Sequence, residues 1–129
     1  MGKAFKKVIF IFVFALTVSS VFANDFKYSN LRIFYGNLHS HTLFSDGRGT
    51  PEQAYQHASK YGDVLAVTDH CYFLKIFIDG KSKTYLTQQA ARNSSINGKF
   101  VGLQGFEWTA GSGHINVYET LEYISRDEK

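Results

Sequence analysis

The stretch HSHTLFSDG places His39 and His41 two residues apart and Asp46 five residues after the second, in a chain that has five histidines among 129 residues. Further along, Asp69-His70, Glu107 and His114 add more imidazole and carboxylate. These side chains suit zinc, manganese or iron, and two histidines at i and i+2 of a strand can hold one ion from one side. Glu107 can bridge two ions, because a carboxylate has two oxygens to share. Two metals about 3.5–4 Å apart can deprotonate a water near neutral pH and clamp the attacking and leaving oxygens of an ester hydrolysis. No Ser-His-Asp or Cys-His arrangement competes, since every histidine except His57 belongs to this set.

Each piece alone has an ordinary reading. An H-x-H pair can be hydrogen-bonded structure, Asp46 in Ser45-Asp46-Gly47 a turn residue, and Asp69 a cap or a partner that orients His70. Glu107 beside Trp108 can be a buried acid, and His114 after Gly113 a loop residue. His57 falls on the polar side of a helix and reads as solvated surface. Cys71 beside His70 reads as a half-buried free thiol rather than a ligand.

The elements that must carry these residues follow from periodicity. Alternation from Ile33 to His41 predicts a strand with Ile33, Tyr35, Asn37, His39 and His41 on one face, so both histidines point the same way. Thr50, Pro51 and Gln53 form a helix start with a capping box, and Gly62 stops that helix after Tyr61. The apolar run 63–68 predicts a strand buried on both faces that delivers Asp69 and His70. Residues 71–83 predict a loop over one end of the sheet, in which Tyr72, Phe73 and Phe77 line an apolar pocket beside His70 or pack as core. Tyr85 to Ser95 reads as a helix, Phe100 to Leu103 as a third strand leading to Glu107, and His114 to Tyr118 as a fourth after a tight turn at 111–113. Strands alternating with helices imply a parallel α/β sheet, in which chemistry collects at the C-terminal strand ends. Those ends carry His39 and His41, then Asp69 and His70, then Glu107, and this convergence is the case for metal-assisted hydrolysis.

The N-terminus predicts an export signal: Lys3, Lys6 and Lys7, an apolar run from Val8 to Leu16, and Val21-Phe22-Ala23 as a cleavage site after Ala23. The run to Phe22 is too short and too interrupted for a membrane anchor, since a bilayer crossing takes about 20 apolar residues. Removing residues 1–23 takes three of the 14 basic residues and none of the 11 acidic ones, so the net +3 becomes 11 against 11. A neutral domain offers no basic stripe to a phosphate backbone, which argues against nucleic-acid partners. The single Cys71 cannot form an internal disulfide.

GNLHSHTLFSDGRGTPEQA, DVLAVTDH and GFEWTAGSGHINVY resemble the first three motifs of the PHP (polymerase and histidinol phosphatase) metallohydrolases, with wording closest to a secreted, carbamate-hydrolase-like branch. The resemblance runs from Tyr35 to Arg126. It implies a distorted seven-stranded (β/α) barrel, TIM-like, with two or three divalent ions (Zn, Mn or Fe) and hydrolysis chiefly of phosphoesters. It assigns His39 and His41 to a first metal, Glu107 to a bridge, His114 to a second metal, and Asp46 with His70 to a third. Asp69 would stand behind the ligands, and a metal-bridging hydroxide would be the nucleophile.

The family pattern continues well past the third motif to a further histidine or cysteine and an Asp-x-His pair, whereas no histidine follows His114. The expectation is therefore residues 1–23 as signal and 24–129 as the N-terminal portion of such a domain, an incomplete barrel. Its function would be metal-dependent hydrolysis of a small-molecule ester, possible self-association through an open sheet edge being a further expectation. The rivals are a non-catalytic exported metal- or partner-binding module and, less fittingly for an exported neutral chain, a polymerase-associated PHP nuclease.

Overall fold

The computed structural model describes residues 31–122. The expected signal segment, 1–23, lies outside the described residues. Among the described ones no helix is long and apolar enough to cross a membrane.

The fold is mixed α/β. A curled four-stranded sheet has the order β1 (Gly36–Asn37), β2 (Val64–Val67), β5 (Val101–Ala110), β6 (Gly113–Tyr118). Helix α1 (Pro51–Ala58) joins β1 to β2, and α2 (Lys83–Ser94) leads into β5. A small antiparallel ribbon, β3 (Phe77–Ile78) with β4 (Lys81–Ser82), precedes α2.

Helix α1 starts as its sequence dictates. Thr50 accepts from the Gln53 N–H at 3.2 Å while the Gln53 side chain accepts from the Thr50 N–H at 2.9 Å, and Pro51 occupies the first turn. Such a cap contributes about 1 kcal/mol. The α-helical ladder stops at Ala58, and a turn carries the chain to Gly62, whose N–H reaches the Ala58 carbonyl at 2.9 Å. Helix α2 begins two residues ahead of the expected Tyr85, because the Ser82 hydroxyl caps the Tyr85 N–H at 3.1 Å.

Both helices pack on one face of the sheet. Tyr55 from α1, Ala90 and Ala91 from α2, and Leu65, Val67 and Phe100 form the main core. A Cβ on Gly102 would lie 2.8 Å from the Ala91 carbonyl, so glycine there lets α2 settle onto β5. A second cluster joins Cys71, Leu74 and Phe106. Cys71 is thus fully buried rather than half-buried, because the 3-10 turn Cys71–Phe73 tucks it under Phe106.

Two expectations about strands need correction. The strand expected over Ile33 to His41 is paired only at Gly36 and Asn37. Side chains end it on both sides: the Asp63 carboxylate accepts from the Tyr35 N–H at 2.8 Å, and Asn37 Oδ1 takes the His39 N–H at 2.9 Å. Such local bonds compete with a ladder. The sheet is also not wholly parallel. β1, β2 and β5 are parallel, but the two-residue loop Gly111-Ser112 turns β6 back as an antiparallel hairpin partner of β5. The expected loop over 71–83 likewise contains the 3-10 turn and the β3–β4 ribbon.

Candidate metal centre

Register decides which side chains meet. In the β5–β6 hairpin Glu107 pairs with Asn116 and Thr109 with His114, so these four project from one face, away from the helices. Phe106, Trp108, Ile115 and Val117 project from the other. β2 ends so that His70 bridges to Glu107 in parallel register, and the Glu107 N–H bonds the Asp69 carbonyl at 3.1 Å. The chain after β1 brings His39 and His41 to the same place, their ring centroids 4.8 Å apart.

Glu107 is the hub. Its side chain is 5 % exposed and three imidazoles surround it: His114 Nδ1 at 2.5 Å from Oε1, and His70 Nδ1 at 2.8 Å and His41 Nε2 at 3.2 Å from Oε2. Yet Glu107 Oε2 and His41 Nε2 are both buried without a hydrogen-bond partner. His41 donates its Nδ1–H to the Asp46 carboxylate at 2.6 Å, which leaves Nε2 of the neutral ring as a lone pair. In a neutral His41 the buried Nε2 lone pair faces the Glu107 carboxylate at 3.2 Å, an arrangement that a cation, or a second proton on the ring, relieves. That is the fit between these residues and a metal ion.

Two groups of side chains have ligand atoms close enough together to hold an ion: His39, His41 and Glu107, and His41, Asp46 and His70. Both draw on His41. While its Nδ1–H is bonded to Asp46, the ring has one nitrogen to offer, so the two groups compete for it. Asp46 itself is 58 % exposed, with its other oxygen 3.5 Å from His70 Nε2. The hydrogen bond from His41 holds its carboxyl below the usual range, against a small opposing effect of burial. His114, half-exposed, joins the cluster through Glu107.

Asp69 does its work one step back. It is 1 % exposed and accepts from the Thr42 N–H at 2.7 Å, the Thr42 hydroxyl at 2.7 Å and the Ser45 hydroxyl at 2.5 Å. It therefore braces the turn that joins His41 to Asp46, rather than orienting its neighbour His70. Gly47 closes that turn, and a Cβ there would collide with the His41 carbonyl. The His70 ring is held by the Thr109 hydroxyl at 2.8 Å and stacks on Tyr72 at 5.1 Å, while Phe73 lies against Tyr72. Phe77 is 66 % exposed, out on the small ribbon. His57 is exposed beside Tyr61, as its helix position predicts.

Sequence reasoning passed over Thr68, Thr109 and Asn116, which hold the imidazoles. Asn116 was in reach, since it lies two residues from His114 on a strand and so shares its face. It also passed over Lys83, a buried cation whose Nζ donates to the Phe44 carbonyl at 2.6 Å and so supports the same turn from α2. The chain matches no family model, no curated protein and no solved structure.

Proposed function

We propose that this chain carries the metal-binding part of a metal-dependent hydrolase of small-molecule esters, phosphoester or carbamate, related to the PHP enzymes. The buried His41 Nε2, which makes no hydrogen bond and faces the Glu107 carboxylate at 3.2 Å, carries this reading, supported by the wider cluster of His39, Asp46, His70 and His114 around them. Divalent zinc, manganese or iron held there would polarise the ester and activate water for attack.

The chain's own residues divide the rest of the work. Glu107 supplies buried negative charge, and Asp46 keeps His41 in the tautomer that presents Nε2. Asp69 and Lys83 hold the intervening turn. The open side of the site is lined by His39, Asp46 and His114, all exposed, and this is where a small ester enters. We further propose that the chain is exported after removal of residues 1–23, and that its remaining 11 basic and 11 acidic residues carry no charge suited to nucleic acid.

The test is the metal content of the chain's gel-filtration peak, with turnover of a generic phosphoester and a carbamate ester. One or more ions per chain and turnover abolished by His39→Ala and by Glu107→Ala support the reading. A peak that stays metal-free when zinc, manganese and iron(II) are each supplied overturns it.

A second reading, a non-catalytic exported module that self-associates, draws on the far face of the hairpin. There Phe106, Trp108, Ile115 and Val117 line an open apolar cavity of about 320 Å³, and β6 is the last strand in the sheet order. Edge strands of this kind pair readily with another chain. A monodisperse monomer in the same gel-filtration run counts against it.

A further inference from the structure

We propose that Asn116 and Thr68 are positioning residues that lock His39 in the tautomer protonated at Nδ1, so that Nε2 is the nitrogen it presents to a cation. The inference deepens the proposed function and rests on it for its purpose, though the tautomer itself is readable without any metal.

His39 Nδ1 lies 2.9 Å from the Thr68 hydroxyl oxygen and 3.0 Å from Asn116 Oδ1. A neutral imidazole carries one N–H and one lone pair, and its partners decide which nitrogen has which. The Asn116 amide oxygen can only accept, so it sets the direction at Nδ1, and the Thr68 hydroxyl, which can give or take a proton, turns a lone pair toward a ring nitrogen that already carries one. An acceptor at Nδ1 requires that nitrogen to carry the proton, and Nε2 is left as the ligand.

Position makes the arrangement purposeful. Asn116 stands opposite Glu107 in the hairpin register, so the strand pair that supplies the carboxylate also supplies the acceptor for the histidine. Thr68 directly follows β2, one residue before Asp69. The His39 backbone is fixed separately, by its N–H on Asn37 Oδ1 at 2.9 Å. His41 reaches the same tautomer by another route, through the Asp46 carboxylate. Both histidines of the H-x-H pair thus present Nε2, one steered by a charged acceptor and the other by a neutral amide with a hydroxyl beside it.

Acceptors behind a ligating histidine typically change metal affinity 10- to 100-fold. The experiment uses the full chain with nitrogen-15-labelled histidine. Long-range nitrogen–proton spectra of the metal-free protein read the tautomer of His39, assigned by comparison with His39→Gln. Zinc titration then compares wild type, Asn116→Leu, Thr68→Val and Asn116→Asp, with circular dichroism as the check on folding.

The expected result is an Nδ1–H tautomer in the wild type. Zinc affinity should be roughly 10- to 100-fold weaker in Asn116→Leu, and at least wild-type in Asn116→Asp, which keeps the acceptor and adds charge. An Nε2–H tautomer in the metal-free wild type overturns the inference, as does undiminished zinc affinity in folded Asn116→Leu and Thr68→Val. A wild type that shows the Nδ1–H tautomer but binds none of zinc, manganese and iron(II) overturns the proposed function instead, and leaves Asn116 and Thr68 as the residues that set the ring.

Discussion

The Asp69 carboxylate grips Thr42 twice, through the backbone N–H and through the hydroxyl, each at 2.7 Å, and takes Ser45 as well. The segment it holds is the one that separates His41 from Asp46. Asp69→Asn keeps the shape but replaces one acceptor oxygen with an N–H donor, which faces a donor already there. Loss of a buried hydrogen bond to a charged group costs about 1–3 kcal/mol, so the variant should unfold at distinctly lower urea concentration than wild type. The same variant should bind zinc more weakly, because the turn no longer fixes Asp46 against His41. A denaturation midpoint equal to that of wild type would show that the turn stands without Asp69.

Glu107→Gln removes the charge at the centre of three imidazoles and leaves the volume. For wild type, zinc at about 100 times its dissociation constant should stabilise the fold by about 2.7 kcal/mol. At that zinc concentration the variant should gain almost nothing. Calorimetric melting with and without zinc reads this directly, and equal shifts in the two proteins would place the ion elsewhere.

Lys83 gives the fold a pH signature at the alkaline end. Burial pushes its ammonium below the ordinary lysine value of 10.5, with the Asp69 charge acting in the opposite sense. Between the folded value and 10.5 the unfolded chain binds more protons, so this residue's contribution makes stability rise with pH and levels off above 10.5. Relative to wild type, Lys83→Met should lack that rise. Parallel urea titrations from pH 8 upward at about half-unit steps would check it, and superimposable slopes for the two proteins would argue that Lys83 is solvated.

Tyr55 acts in the opposite direction. Burial raises its phenol above the ordinary value of 10.0, while its hydroxyl donates to the Leu103 carbonyl at 2.8 Å. The folded state keeps the proton that the unfolded chain loses, so the contribution is intact below pH 10.0 and is lost progressively above it. Tyr55→Phe should cost about 1 kcal/mol near neutrality through the lost hydrogen bond. It should also flatten the alkaline decline, as followed by circular dichroism. A decline as steep as that of wild type would assign the loss to other groups.

Much of this site was legible because its residues sit at strand ends or one turn away, where alternation and turn chemistry are strong signals. Asp69, His70 and Glu107 come together as the buried run 63–68 and the strand after Phe100 require. The capping box of α1 is written in Thr50, Pro51 and Gln53. What escaped the sequence was decided by partners distant along the chain. Ile33 to His41 alternates well enough for a strand, yet Asp63 and Asn37 take its N–H groups and leave only Gly36 and Asn37 paired. Lys83 looked like one of several loop lysines, and only packing of α2 under Phe44 buries it. The direction of β6 hung on a two-residue loop, and alternation alone does not encode direction.

The contacts within the cluster differ widely in span, and so in the chain entropy each one costs. Glu107 and His114 are 7 residues apart in sequence, and His39 and Asn116 are 77. Closing the longer loop costs about 2 kcal/mol more chain entropy by the logarithmic rule. The hairpin half of the cluster can therefore form locally while the chain is still largely unfolded. The His39 half needs β1 docked on β2, so the cluster is complete only when the most distant parts of the described chain are held together.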